Sequence, residues 1–203
     1  MHSSNTETLW TSKMAAAKSL THAELEHALA HIATTTFAQR DRAMLLVMVL
    51  AGLRVSEVAN LKLNDVRDAN GAIRAEIYLS ANRVKHGHAR TVYVSTRLQA
   101  ELDAYVRSRK WYENTQPLFT TYSSPRKAFT PNVLSQHFYW LFKAAGIKGA
   151  SSHSGRKTFL TSLAAKGVSV FVLASLAGHR NISTTQRYIT VNDDVKRRAV
   201  ELV

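Results

Sequence analysis

Ala177-Gly-His-Arg-Asn-Ile-Ser-Thr-Thr-Gln-Arg-Tyr188 sets a histidine and a tyrosine nine residues apart across a helix break. Gly178 suits the end of one helix, where the chain turns left-handed, and Ser183 with Gln186 three residues on has the form of a capping box that starts another. Tyr188 is then expected just inside the second helix. Taken alone, the stretch reads most simply as a buried helical tyrosine after a helix-turn-helix, so its meaning depends on its surroundings.

Upstream, residues 168–177 read as one helix, and Ser151-Ser-His-Ser-Gly-Arg156 opens another that runs to about Lys166. That places His153 and Arg156 three residues apart near one face of a first turn, where a helix N-terminus favours an anion. Before it, Thr130 caps and Pro131 opens a helix that buries Leu134, Phe138, Leu141, Phe142 and Ala145 and stops at Gly146. Residues 95–110 form a helix through Leu98, Leu102 and Tyr105, ending in the basic residues Arg107, Arg109 and Lys110 and followed by a polar connector to about Phe129. Downstream, Asn192-Asp-Asp has a cap and an acidic first turn, with Val195, Ala199, Val200 and Val203 as the apolar stripe of a tail helix over 191–203.

Residues 73–79 and 91–94 alternate apolar with polar and predict two short antiparallel strands. Their connection, residues 80–90, is basic and carries Lys85 near Gly87, which suits an arm reaching a phosphate, although an ordinary charged hairpin has the same composition. A helix over about 38–52 is apolar nearly all round and should lie at the centre of the core. Gly52-Leu-Arg-Val-Ser-Glu57 follows, where Gly52 stops that helix and Ser56 can cap a short new one. Arg54 is thereby held at a junction, either as a phosphate ligand or as a surface partner of Glu57; these residues leave both readings open. Thr21 with Glu24 caps a first helix, whose His27 and His31 fit a solvated face better than a metal site because no acidic or thiol partner lies near them. Residues 1–19 have no apolar period and are expected to form a loose arm, leaving 20–190 as one domain.

The chain of 203 residues carries 27 Lys+Arg against 14 Asp+Glu, a net +13 that favours a polyanionic partner, nucleic acid first. It has no cysteine, which excludes a disulfide scaffold and a zinc-thiolate centre. The longest apolar run, residues 43–52, is too short to span a bilayer and no signal peptide is evident, so the expected protein is soluble and cytoplasmic, without a membrane partner. Besides Tyr188, the groups that stand at element boundaries are Arg54, Lys85, His153, Arg156 and His179. A phosphodiester attacked by a tyrosine gathers negative charge on its non-bridging oxygens, which arginines stabilise; a histidine can help remove the tyrosine proton and a lysine can protonate the leaving oxygen. No metal or other cofactor is needed for that inventory.

In this ordered set the sequence resembles the tyrosine recombinase and phage integrase family, over about residues 20–203. The resemblance implies a mainly α fold with a small antiparallel β-sheet, the catalytic-domain fold of DNA breaking-rejoining enzymes. It implies that Arg54 and Arg156 bind the scissile phosphate of double-stranded DNA, that Lys85 is the general acid, and that His153 acts as base or phosphate donor. It further implies that His179 bonds a non-bridging oxygen, that Tyr188 attacks to give a 3′-phosphotyrosyl link, and that Glu57 orients Arg54. Further DNA contacts are expected from Arg83, His86, His88, Arg90, Lys157, Arg180 and Arg187. Exchange in this family uses a tetramer on two duplexes, sometimes with an accessory DNA-binding protein, and the tail helix docks either in cis or on a neighbouring protomer. The resemblance also implies a bacterial or phage-encoded protein associated with the nucleoid. Two departures stand out: many relatives have a large apolar residue at the place of Gly155 and a histidine at the place of Lys157. Most also carry a helical DNA-binding domain upstream, where only about 20 residues precede the first helix here, as in a stand-alone invertase or a piece of a longer chain. A type IB topoisomerase and a non-catalytic basic DNA-binding regulator are the alternatives.

Overall fold

The computed structural model describes residues 17–81, 89–109, 113–122 and 127–189, together with 196, 197, 200 and 201. Helix α1 (His22–Ala33) starts at Thr21, whose hydroxyl accepts from the Glu24 N–H while the Glu24 carboxylate accepts from the Thr21 N–H. Its buried face is Leu25, Ala28, Leu29 and Ile32, and His27 is exposed. Among the described residues no three His, Asp or Glu side chains cluster as metal ligands.

Helix α2 (Ala38–Ala51) is the central element. Met44, Leu45, Leu46, Val47 and Met48 are buried on every side of it, because α1, α5 (Thr96–Ser108) and α7 (Ser154–Ala165) all pack on it. It ends at Gly52, left-handed with φ +66°, whose N–H donates to the Met48 carbonyl at 3.2 Å. A Cβ at Gly52 would stand 2.4 Å from the Phe159 ring, so backbone and packing both require glycine.

The next turn departs from the expected cap. Helix α3 (Val55–Ala59) starts at Arg54 rather than Ser56, because the buried Glu57 carboxylate reaches back and accepts the Arg54 N–H at 2.8 Å. After α4 (Leu63–Val66) come β1 (Glu76–Leu79) and β2 (Arg90–Tyr93), antiparallel with Glu76 opposite Tyr93 and Leu79 opposite Arg90. The first strand is shorter than predicted: Ile73 leaves it to make an isolated bridge with Arg67. The arm between the strands, with Arg83, Lys85, His86 and His88, lies outside the described residues.

Polar composition after α5 concealed a core contribution. Leu118 and Phe119 are fully buried, and the segment is tied to the domain by a bridge between Lys62 and Pro117 and folds back on itself through one between Thr120 and Ala128. Helix α6 (Pro131–Ala144) opens as predicted, with the Thr130 hydroxyl accepting from the Val133 N–H and Leu134, Phe138, Leu141 and Phe142 buried.

Helices α7, α8 (Val170–Ala177) and α9 (Ile182–Gln186) enclose a second, small core of Leu160, Leu173 and Ala177, against which Phe159, Leu163, Tyr188 and Ile189 pack. Here the capping prediction fails. Asn181, not Ser183, caps α9, its side-chain oxygen accepting the Ser183 N–H at 2.9 Å and the Ser183 hydroxyl at 2.7 Å. Helix α9 therefore begins sooner and ends at Gln186, so Tyr188 lies just beyond its end, its N–H donating to the Thr185 carbonyl at 2.9 Å. Of the tail stripe only Val200 is described, and it is exposed. Among the described residues no helix is long and apolar enough to cross a membrane.

Candidate active site

Arg54, Val55, Ser56, His153, Arg156, Lys157, His179, Arg187 and Tyr188 line one open cleft of about 580 Å³, with Ala17 at its edge. These residues come from four separate places in the chain. Arg54 enters from the end of α2, His153 and Arg156 from the start of α7, His179 from the turn after α8, and Tyr188 from beyond α9. The left-handed glycines Gly52 and Gly178 end two of those helices and turn the chain into the cleft.

Arg156 is the buried anchor. One guanidinium nitrogen donates to the Gly52 carbonyl at 2.5 Å, while the other donates to the Ala177 carbonyl at 2.6 Å and stands 3.0 Å from His179 Nε2. It thus ties together the ends of α2 and α8. Burial and then the nearby Arg54 push its pKa down to about 9, which leaves it charged at neutral pH.

A guanidinium has no acceptor, so His179 Nε2 must present a lone pair to Arg156. The proton of a neutral ring then sits on Nδ1, which faces the Thr185 hydroxyl at 2.9 Å. Burial, then Arg156, Arg54 and Arg90, push the His179 pKa down to about 4, so the ring is neutral at pH 7. The Tyr188 ring stacks on it, centroids 6.2 Å apart and planes 17° from parallel.

Glu57 lies under this surface, its side chain fully buried between two arginines. Arg54 Nη1 is 2.9 Å from one carboxylate oxygen, and Arg90 Nη2 is 2.8 Å from the other. Burial alone would raise its pKa; Arg90, the Arg54 N–H, the Arg54 guanidinium and Arg156 outweigh that and hold it below the usual range. Arg54 therefore both pairs with the buried Glu57 and lines the cleft.

The proposed DNA contacts divide. Lys157 and Arg187 line the cleft, and Arg180 is exposed beside it in sequence. Arg90 is turned inward: besides Glu57 it donates to the Leu176 carbonyl at 2.8 Å, and its side chain is only 8% exposed. Its partner 33 residues away in the sequence leaves no local signal. Thr185, fully buried and bonded to His179, is the site residue that sequence reasoning missed; its only trace there is a threonine six positions after a histidine.

A Cβ at Gly155 would lie 2.7 Å from the Met48 Cβ, so α7 crosses α2 too closely for a large side chain there.

Comparison with known proteins agrees with the sequence resemblance. The model of the phage integrase family matches residues 18–194. Tyrosine recombinase XerA of Pyrococcus horikoshii is 33% identical over 188 residues, 91% of this chain and 62% of that protein. Tyrosine recombinase XerC of Pelobacter propionicus is 30% identical over 179 residues, 85% of this chain and 56% of that protein. The chain thus spans about three-fifths of the length of the curated relatives it matches. Among solved structures, a XerA recombinase superposes with a TM-score of 0.72 at 26% identity, over 91% of this chain and 65% of that one. The catalytic domain of bacteriophage HP1 integrase superposes with a TM-score of 0.62 at 21% identity, over 85% of this chain and 86% of that one.

Proposed function

The chain belongs to the phage integrase family, and we propose that it is a site-specific recombinase that cleaves and rejoins double-stranded DNA through a 3′-phosphotyrosyl intermediate. The observation that carries this reading is the convergence of Arg54, His153, Arg156, His179 and Tyr188 on one open cleft from four separated stretches of chain. A DNA-binding regulator needs cations on its surface; it has no use for a tyrosine stacked on a neutral histidine beside a buried arginine.

In the proposed reaction, the Tyr188 hydroxyl oxygen attacks the scissile phosphorus. The bond from phosphorus to the 5′ oxygen breaks as the bond to the tyrosine oxygen forms, so one phosphodiester is exchanged for another and no high-energy cofactor is consumed. The tyrosine proton passes to His153, and the leaving 5′ oxygen takes a proton from Lys85. Arg54 and Arg156 neutralise the extra charge on the non-bridging oxygens, held in advance by Glu57 and by the two helix-end carbonyls. Attack by a 5′-hydroxyl of a second duplex reverses the step and completes the exchange. Lys157 and Arg187 in the cleft and the exposed Arg180 serve as backbone phosphate contacts, as do Arg83, His86 and His88. Four protomers on two duplexes, with the tail after Tyr188 docked on its own or a neighbouring protomer, would form the exchanging assembly.

XerH site-specific recombinase, bound to its difH substrate before and after cleavage, shares this fold, with TM-scores of 0.68 and 0.69 at 22% identity. Those complexes support DNA as the partner here. Incubation with a pool of nicked duplexes of randomised sequence tests the proposal. An SDS-resistant protein-DNA complex is expected for wild type and not for Tyr188→Phe; a complex formed equally by both would refute the role of Tyr188. Relaxation of a plasmid by monomers, without exchange between duplexes, would point to the topoisomerase instead.

A further inference from the structure

The Thr185 hydroxyl has no part in the chemistry described above, yet it is fully buried and aimed at the site. It stands 2.9 Å from His179 Nδ1, while the other ring nitrogen faces Arg156 at 3.0 Å. The same residue's carbonyl accepts the Tyr188 N–H at 2.9 Å. One residue therefore holds the histidine through its side chain and the tyrosine through its backbone, and the two rings stack.

We propose that Thr185 is the positioning residue of the cleft, whose hydroxyl holds the His179 ring in the orientation that keeps Nε2 toward Arg156 in either tautomer, so that without it the ring is released and the Nε2–H form grows. The inference rests on the recombinase reading of the cleft. Arg156 can only donate, so in the free protein Nε2 must accept and Nδ1–H must donate to the Thr185 oxygen. When a phosphate oxygen takes up the Arg156 guanidinium, His179 can bond that anion only with a proton on Nε2. A hydroxyl serves both states, because it accepts from Nδ1–H in the first and donates to bare Nδ1 in the second. The ring stays neutral across the change, with Nε2 taking one proton from water in the open cleft and Nδ1 giving one up. A carboxylate would hold only the first state, and an aliphatic side chain would hold neither.

Thr185→Val keeps the shape and removes the hydroxyl; Thr185→Ser keeps the hydroxyl. The first measurement is the nitrogen-15 NMR pattern of His179 in the free protein, which needs no DNA. Wild type and Thr185→Ser are expected to show the Nδ1–H form, and Thr185→Val a shift toward the Nε2–H form. The second is the rate of covalent complex formation on nicked duplexes. A loss of tenfold to a hundredfold is expected in Thr185→Val, with DNA affinity unchanged and the rate recovered in Thr185→Ser. That loss is smaller than the roughly 10²–10³-fold typical when a charge-stabilising donor is itself removed. The proposal is overturned if wild-type His179 carries its proton on Nε2, if Thr185→Val keeps the Nδ1–H pattern, or if Thr185→Ser is as slow as Thr185→Val. Should Thr185→Val fail to fold, the wild-type spectrum and Thr185→Ser still decide. A wild type that shows the Nδ1–H form but never forms a covalent complex would sink the recombinase reading and leave the Thr185–His179 contact standing.

Discussion

Replacing Glu57 by glutamine removes one charge and almost no volume from a fully buried position between Arg54 and Arg90. The two arginines are themselves largely buried, with side chains 19% and 8% exposed, and Arg156 adds a third positive charge to the same surroundings. Breaking a buried ion pair by removing one partner costs about 3–5 kcal/mol, because the remaining charge stays out of water. Glutamine keeps one oxygen that can still accept a hydrogen bond, but its amide group must face the other donor. We therefore expect a loss near the lower end, about 3 kcal/mol. That is a large part of the roughly 5–15 kcal/mol that stabilises a typical domain. With a urea m-value of about 2–3 kcal/mol/M for a chain of this size, the unfolding midpoint should fall by about 1–1.5 M. Asp103→Asn is the control: its ion pair with Arg107 is largely exposed, with side chains 38% and 79% accessible, and should shift stability by no more than about 1 kcal/mol. If Glu57→Gln unfolds within about 0.5 kcal/mol of wild type, the carboxylate does not hold these arginines in the way described.

Two further predictions concern packing and pH. Gly155→Ala places a methyl group 2.7 Å from the Met48 Cβ and should cost about 1–3 kcal/mol in urea unfolding, since either α7 or α2 must shift; an unchanged midpoint would mean that the helices separate freely. His179 has a folded pKa of about 4 against an ordinary value of 6.5, so between those pH values the unfolded chain binds a proton that the folded one refuses. Its contribution to stability is therefore present above pH 6.5 and is lost as pH falls toward 4. His179→Gln should flatten that part of the stability-pH curve, and an unaltered slope would show that the ring is not held neutral.

Local signals carried the reading of this chain wherever a short stretch decides its own conformation. Thr21 with Glu24, Thr130 with Pro131, and the uniformly apolar run in α2 all form what they predict. Errors arise where two local signals compete or where the deciding partner is distant. Asn181 and Ser183 both suit a helix start, and the chain uses Asn181 because its side-chain oxygen takes both the N–H and the hydroxyl of Ser183. Ser56 gives way to Arg54 as the start of α3 because Glu57 is driven inward by two arginines and bonds the backbone there. Leu118 and Phe119 sit among polar neighbours yet are fully buried, and the bridge beside them reaches back more than fifty residues to Lys62. In the same way, the cluster of Arg54, His153, Arg156, His179 and Tyr188 could be proposed from residue types and order. The inward turn of Arg90 and the role of Thr185 depend on tertiary neighbours that no window of sequence contains.

The central claim is that Tyr188 is the nucleophile. Its most direct test is to digest the SDS-resistant complex from nicked duplexes with nuclease and trypsin and to weigh the modified peptide. Cleavage after Arg187 and Lys196 yields the peptide from Tyr188 to Lys196, with one tyrosine. The account predicts a nucleotide phosphate on that peptide, attached through the 3′ end of the cleaved strand, with a free 5′-hydroxyl on the other side of the break. A phosphate on any other residue, or attachment through a 5′ end, would contradict it.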